Sequence, residues 1–183
     1  GHSIPELRDL LPRVEDGKEP LPEALFWLML VGEIPTENQV KGLTAQWVAR
    51  STVPQHTFDV LDALPKDTHP MAQFSIAIVS LQNKSIFAQR YAKGMSKNDY
   101  WDAMYEDTMN LIAMLPRVAA YIYRKTYHDG DHIAPDLTLD WGGNFAQMLG
   151  MPGEEFKSFM RLYLTIHADH EGGNASAHTT HLV

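Results

Sequence analysis

The longest periodic segment of the chain, from about residue 98 to residue 127, constrains the fold more than any other feature. Its larger side chains recur at spacings of three and four, as expected for one face of an α-helix. They are Trp101, Met104, Tyr105, Thr108, Leu111, Ile112 and Leu115. Pro116 lies inside the pattern, where its ring removes one backbone hydrogen bond and clashes with the preceding turn. We therefore expect a long helix with a kink or break near Leu115.

Shorter helical segments, separated by proline and glycine, fill the rest of the sequence. Ser3 and Thr36 are well placed to cap two of them, and Gly32 and Gly150 to end two others. The predicted helices cover residues 4–11, 22–31, 37–50, 54–64, 69–83, 140–149 and 153 or 154 to about 170. No segment alternates with a period of two. The predicted fold class is therefore all-α, with about nine or ten helices.

Composition excludes several kinds of partner and site. The chain has 15 basic and 23 acidic residues, a formal net charge of −8, which argues against nucleic acid or an anionic membrane as partner. It has no cysteine, which excludes disulfides, thiolate metal sites and a cysteine nucleophile. No apolar run reaches the ~18 residues of a membrane span, and no signal or transit peptide is expected at Gly1. At 183 residues, the chain is one large domain or part of one.

The end of the sequence, residues 166–183, concentrates the groups that could carry chemistry. Four of the nine histidines fall there, two of them three residues apart, so a helix would place His167 and His170 on the same side. The glycine pair at 172–173 allows a sharp turn. A new helix beginning near Asn174 would direct free N–H groups back towards that turn. His170 and Asn174 could then converge on a small anion such as a carboxylate.

Other interpretations of the same residues stay open. Histidines at helix C-termini are favoured by the helix dipole alone. The cluster also contains zinc-type ligands, but His-Ala-Asp-His-Glu lacks the spacing of the metalloprotease motif, and we predict no metal site. Ser176 lacks the glycine-flanked elbow of a nucleophilic serine. The pairs Gly142-Gly143 and Gly172-Gly173 match no phosphate-binding loop.

Several motifs, in order along all 183 residues, resemble those of one family. One is the histidine-rich segment Asp169-His-Glu-Gly-Gly-Asn-Ala-Ser-Ala-His-Thr-Thr-His-Leu-Val183, and in combination the motifs are highly specific. The others are Ser3-Ile-Pro-Glu6, Leu21-Pro-Glu-Ala-Leu-Phe-Trp27, Gly32-Glu-Ile-Pro-Thr-Glu37, His69-Pro-Met71, Tyr105-Glu-Asp107, Leu139-Asp-Trp141 and Arg161-Leu-Tyr-Leu-Thr-Ile-His167. Together they resemble citrate synthases of the eukaryotic, mitochondrial type.

The resemblance implies an acyltransferase that condenses acetyl-CoA with oxaloacetate and then hydrolyses citryl-CoA to citrate and CoA. It implies a mitochondrial matrix location and no cofactor, since acetyl-CoA is a substrate. Family members are mostly helical homodimers with a large and a small domain. Residues 1–183 resemble the N-terminal portion of the large domain, and helices around 70–83 and 174–183 resemble parts of the subunit interface.

The resemblance also assigns roles to individual residues. His170 matches a histidine that binds the carboxylate of oxaloacetate or citrate, and Asn174 an asparagine beside the same ligand. His167 and His178 match histidines that line the region. The family's aspartate base, its other catalytic histidines and its substrate-binding arginines correspond to positions after Val183.

We therefore expect no catalytic residue in this chain, no turnover by the isolated polypeptide, and apolar faces that promote association. Two alternatives remain: a 2-methylcitrate synthase that uses propionyl-CoA, and a non-catalytic helical scaffold that dimerises through residues 70–83.

Overall fold

The computed structural model describes residues 2–168, and within this range the chain forms nine α-helices and two 3-10 helices. The α-helices are α1 Ile4–Leu10, α2 Pro22–Val31, α3 Glu37–Arg50, α4 Gln55–Ala63, α5 Pro70–Ser80, α6 Ile86–Tyr91, α7 Tyr100–Tyr127, α8 Trp141–Leu149 and α9 Glu154–Ile166. Extended pairing in these residues is confined to an isolated bridge between Arg13 and Pro20. The all-α prediction is confirmed.

The bounds of α2 and α3 agree with the prediction because local signals set them. Gly32 ends α2 in the left-handed conformation, with φ of 84°, which glycine adopts without steric cost. The Thr36 hydroxyl accepts a hydrogen bond from the Gln39 N–H at the start of α3, and the Thr36 N–H donates to the Gln39 side chain. Both ends of the connection between α2 and α3 are therefore determined by the residues within it.

The sequence predicted a kink or a break near Leu115; helix α7 continues unbroken through Pro116, so the break is wrong, and the kink stays a prediction. Pro116 is itself buried, and buried side chains lie on both sides of it at Met114 and Val118. A proline removes a single ladder hydrogen bond. In a helix of 28 residues, packing on both sides of that position holds the remaining turns together.

Two of the three hydrophobic clusters in the described core are arranged around α7. One joins its C-terminal half to α4 and α5 and contains Phe58, Leu61, Ala77, Leu81, Met114, Val118 and Ile122. The other joins its N-terminal half to α3 and contains Leu43, Trp47, Met109 and Ala113, with Trp141 packed against it. The Trp47 indole N–H lies 3.3 Å from the Met109 sulfur. Helix α7 is thus the central element against which α3, α5, α6 and α8 pack.

Large apolar side chains are nevertheless exposed on several helices, as the sequence led us to expect. Examples are Leu30 on α2, Val79 on α5, Trp101 on α7 and Phe159 on α9, which are 54–72% exposed. Exposed apolar surface of this extent favours association with another surface. Among residues 2–168, no helix combines the length and the apolar character needed to cross a bilayer.

Candidate functional site

The described part of the predicted site is the C-terminal end of α9. The helix ends at Ile166, and His167 follows it as the capping residue, with φ of −97° and ψ of 0°. The expectation that His167 lies in the last helical turn is therefore wrong by one residue. His170, Asn174 and His178 lie outside the described residues, so the convergence of His170 and Asn174 stays a prediction.

The His167 ring has a defined position although its side chain is exposed. Its Nδ1 lies 2.7 Å from the Tyr163 carbonyl oxygen, and its ring packs on the Tyr163 ring with centroids 4.2 Å apart. A carbonyl can only accept, so this contact assigns the proton to Nδ1. Nε2 is then the acceptor of a neutral imidazole or the second donor of a charged one. Such a group could bind a carboxylate or exchange a proton.

Aromatic rings continue along the exposed face of α9 behind His167. Phe156, Phe159 and Tyr163 follow one another with centroid distances of 5.8 and 6.1 Å. Their spacing of three and four residues places them on one side of the helix. This side is an apolar surface that leads to the imidazole.

The opposite face of α9 is anchored by a buried ion pair. Arg161 donates from Nη2 and Nε to the Asp140 carboxylate at 2.7–3.2 Å, and the two side chains are 5% and 8% exposed. Asp140 also caps α8, because its carboxylate accepts the Gly143 N–H at 2.9 Å. One carboxylate therefore fixes both the start of α8 and the middle of α9.

The pair Gly142-Gly143 permits this close approach. A Cβ at Gly143 would lie 2.7 Å from the Asp140 Oδ2 and 3.0 Å from the Arg161 Nη2. A Cβ at Gly142 would lie 3.2 Å from the Arg161 Cγ. The two glycines, which match no phosphate loop, thus serve the packing of α8 against α9.

A second buried carboxyl, Glu23 of α2, adjoins this ion pair and was missed by the sequence analysis. It is 0% exposed, and its Oε1 accepts from the Trp141 backbone N–H at 2.8 Å and the Thr44 hydroxyl at 3.2 Å. Burial, and then the charge of Asp140, raise the pKa of Glu23 to about 7. The available signal was an acidic residue at the start of an otherwise apolar helix.

No group of three metal-ligand side chains occurs within residues 2–168. The histidine cluster considered for zinc belongs largely to positions outside that range.

The fold and the site together define an all-α domain in which a buried ion pair anchors the middle of α9 and an exposed histidine follows the end of that helix. The family model described as "Citrate synthase, C-terminal domain" matches residues 1–183. The chain belongs to the citrate synthase family. Its assignment to the N-terminal portion of the large domain stays a prediction.

Curated relatives support the family over the whole chain. The mitochondrial citrate synthase of Saccharomyces cerevisiae is 55% identical over 183 residues, and that of Xiphias gladius is 53% identical over 184 residues. Both alignments include 100% of this chain but only 38% and 39% of the relatives. The chain therefore spans about two-fifths of the length of these proteins.

Solved structures support the fold. A citrate synthase from Pyrobaculum aerophilum superimposes with a TM-score of 0.76 at 24% identity, covering 93% of this chain and 41% of that one. A citrate synthase from Thermotoga maritima gives a TM-score of 0.63 at 18% identity, covering 87% and 38%. At these identities the likeness concerns the helical architecture alone.

Proposed function

We propose that this chain is the N-terminal portion of the large domain of a citrate synthase that acts in the mitochondrial matrix. The proposed reaction condenses acetyl-CoA with oxaloacetate and yields citrate and CoA. It uses no cofactor, since acetyl-CoA is a substrate. The observation that carries the proposal is 55% identity to the yeast mitochondrial enzyme across every residue of the chain. The shared helical fold is consistent with it.

In this proposal the chain supplies substrate-binding groups. His170 and Asn174 bind a carboxylate of oxaloacetate, and His167 and His178 line the same region. The anchoring of α9 supports the arrangement, because a helix fixed along one face holds the residues at its end in a reproducible place. The defined Nδ1 contact of His167 supports it further, since Nε2 remains to interact with an anion.

The proton transfers are proposed to involve other parts of the subunit. A base removes a methyl proton of acetyl-CoA, and the resulting enol carbon attacks the carbonyl carbon of oxaloacetate to form the new C–C bond. Hydrolysis of the thioester then releases CoA. Because an acetyl C–H is a very weak acid, a positioned base and a polarising group are both needed, and each contributes roughly 10²–10⁴-fold.

An oxaloacetate titration of the 183-residue polypeptide, followed by the imidazole NMR signals, tests the substrate-binding part. We expect the His167 and His170 signals to respond and His170→Ala to abolish saturable binding. His128→Ala is the matched control, because His128 is an exposed histidine that follows the C-terminal end of α7. Equal binding by the two variants would contradict the proposal.

Thiol release from acetyl-CoA tests whether catalysis requires parts of the subunit other than this chain. We expect the 183-residue polypeptide alone to release no CoA above background. A rate close to that of a full-length citrate synthase would overturn this expectation. In a full-length subunit, faster turnover of propionyl-CoA than of acetyl-CoA would favour 2-methylcitrate synthase instead.

The subunit interface is a further part of the proposal. Helix α5, within residues 70–83, buries Gln73 and Ala77 on one side and exposes Met71 and Val79 on the other, at 62% and 72%. An exposed apolar stripe on a well-packed helix is typical of a surface that contacts a second copy. We propose homodimerisation through this stripe and through residues 174–183, which lie outside the described range. Dimerisation with no response to oxaloacetate would favour the non-catalytic scaffold.

A further inference from the structure

We propose that Glu23 is a positioning residue whose buried carboxyl, bonded to α3 and α8, helps to hold the C-terminal turn of α9 and His167 in place. The effect on substrate binding rests on the proposed function, whereas the effect on α9 does not. The Glu23 side chain bonds to Trp141 and Thr44 rather than to His167, so it would act through the helices between them.

Three helices, α2, α3 and α8, meet at the buried carboxyl of Glu23, and α9 packs beside them. Its Oε1 connects α2 to the first residue of α8 through the Trp141 N–H, and to α3 through the Thr44 hydroxyl. The residues before α2 contact α9 directly, because the buried Thr165 hydroxyl donates to the Pro20 carbonyl at 3.5 Å. Thr165 is two positions before His167, so the start of α2 lies against the turn that carries the imidazole.

The charges around this junction leave Glu23 without a cation. From α9, Arg161 directs its three short contacts to Asp140 of α8, and its Nη1 lies 4.0 Å from Glu154. Lys157, also on α9, pairs with Glu154 at 2.8 Å.

The remaining neighbours add no compensating charge. Helix α3 contributes the neutral Thr44 hydroxyl, and the segment before α2 contributes Glu19, which is paired with Arg8. The guanidinium of Arg161 thus compensates Asp140, whereas Glu23 forms no ion pair among residues 2–168. An uncompensated negative charge in this buried place is unfavourable, so Glu23 retains a proton.

The geometry also indicates where the proton lies. Oε1 of Glu23 already accepts two hydrogen bonds, whereas the buried Oε2 has no partner among the described residues. Oε2 therefore carries the proton of the neutral acid. Loss of that proton places a negative charge beside the Asp140 carboxylate, which holds both α8 and Arg161.

The direction of the pH effect follows from the raised pKa of Glu23, about 7 against an ordinary value of 4.5. The stabilising contribution of the neutral acid is fully present below the ordinary value and is lost as the pH rises through about 7. The junction between α2, α8 and α9 should therefore be tightest in mildly acidic solution. It should weaken above neutrality.

NMR titration of the 183-residue chain tests the inference, with the Trp141 backbone amide and the Thr165 methyl group as reporters. We expect both signals to shift with a common inflection near neutrality between about pH 5.5 and about pH 8.5. In Glu23→Gln this inflection should disappear, although the mildly acidic spectrum stays native-like because the amide oxygen can still accept from Trp141 and Thr44.

Glu37→Gln is the matched control, because Glu37 has an exposed side chain on α3. It should leave the inflection unchanged. Persistence of the inflection in Glu23→Gln would overturn the inference. If that variant fails to fold, the pH dependence of the ¹³C carboxyl shift of Glu23 in the unmodified chain tests the inference instead. Titration of this carboxyl close to the ordinary glutamate pKa would also overturn the inference.

A full-length citrate synthase that carries this chain tests the consequence for substrate. We expect the KM for oxaloacetate to rise about fivefold between mildly acidic and mildly alkaline pH, the lower end of coupling between linked sites. Glu23→Gln should remove this rise and leave the pH profile of kcat unchanged. Coincident KM profiles for the two proteins would refute the positioning role. Absence of any citrate synthase activity would instead contradict only the proposed function, because the NMR readout does not need turnover.

Discussion

The guanidinium of Arg161 lies 2.7 Å from the carboxylate of Asp140 where α9 crosses the start of α8, and both side chains are almost fully buried. The pair unites two functions, because the same carboxylate caps α8 and holds α9. Helix α9 leads to the histidines proposed to bind substrate. The stability of this contact therefore bears on the site as well as on the fold.

Replacing Arg161 should be far more costly than replacing an exposed arginine. Arg161→Met leaves the Asp140 carboxylate buried without a counter-charge, and we expect a loss of roughly 3–5 kcal/mol in the free energy of unfolding. Arg90→Met is the control, since the Arg90–Asp102 pair is as short, at 2.6 Å, but about half exposed. That variant should lose about 1 kcal/mol or less. Urea unfolding measures both, and equal losses would contradict the buried-pair interpretation.

Two glycines in helices should respond oppositely to alanine. At Gly143 a Cβ would meet the Asp140 carboxylate at 2.7 Å, and we expect Gly143→Ala to cost about 1–3 kcal/mol through overpacking. At Gly42, inside α3, a Cβ would meet nothing within 4 Å. Gly42→Ala should therefore stabilise the protein by about 0.5–1 kcal/mol through helix propensity. Thermal unfolding shows whether each substitution raises or lowers the stability of the protein. A stabilising effect of Gly143→Ala would show that α8 and α9 can move apart freely.

Tyr121 should ionise at a higher pH than an ordinary tyrosine. Burial, together with the hydrogen bond that its hydroxyl donates to Asp62 at 2.8 Å, raises the pKa of Tyr121 to about 12. The neutral phenol is the stabilising form. Its contribution is therefore present below the ordinary value of 10.0 and is lost as the pH rises through about 12.

Near-ultraviolet absorbance measures this ionisation, and Tyr121→Phe identifies the signal by removing it. Asp62→Asn should lower the pKa of Tyr121, because it removes the negative charge that opposes ionisation. If the pKa of Tyr121 is unchanged in Asp62→Asn, burial alone raises it.

Features determined by neighbouring residues could be predicted from the sequence. The capped start of α3 and the glycine end of α2 are examples, because the groups that satisfy the helix termini lie within three or four residues. The end of α9 was placed too late, because helical periodicity does not show that His167 turns back onto the Tyr163 carbonyl.

Features that depend on distant residues could not be predicted. Helix α6 was missed although Ser85 caps it locally, and its first two N–H groups are satisfied by Asp107, 21 positions away in the case of Ile86. Glu23 was missed for the same reason, since its partner Trp141 is 118 positions away. The residues of the proposed substrate site, His170 and Asn174, were selected by family resemblance, and their geometry stays a prediction.

A charge placed on the outward stripe of α5 should weaken dimerisation without unfolding the subunit. Val79 is 72% exposed, so Val79→Glu costs little in a monomer, whereas an unpaired carboxylate buried at an interface costs about 2 kcal/mol, or roughly 30-fold in the dissociation constant. Val60→Glu is the control, because Val60 is exposed to 37% on the neighbouring helix α4.

Sedimentation velocity over a range of concentrations compares the two variants with the unmodified chain, and circular dichroism checks that both remain helical. We expect weaker association for Val79→Glu alone. Equal dissociation constants for all three proteins would place the contact on another apolar surface, such as the exposed face of α7 around Trp101, which is 71% exposed.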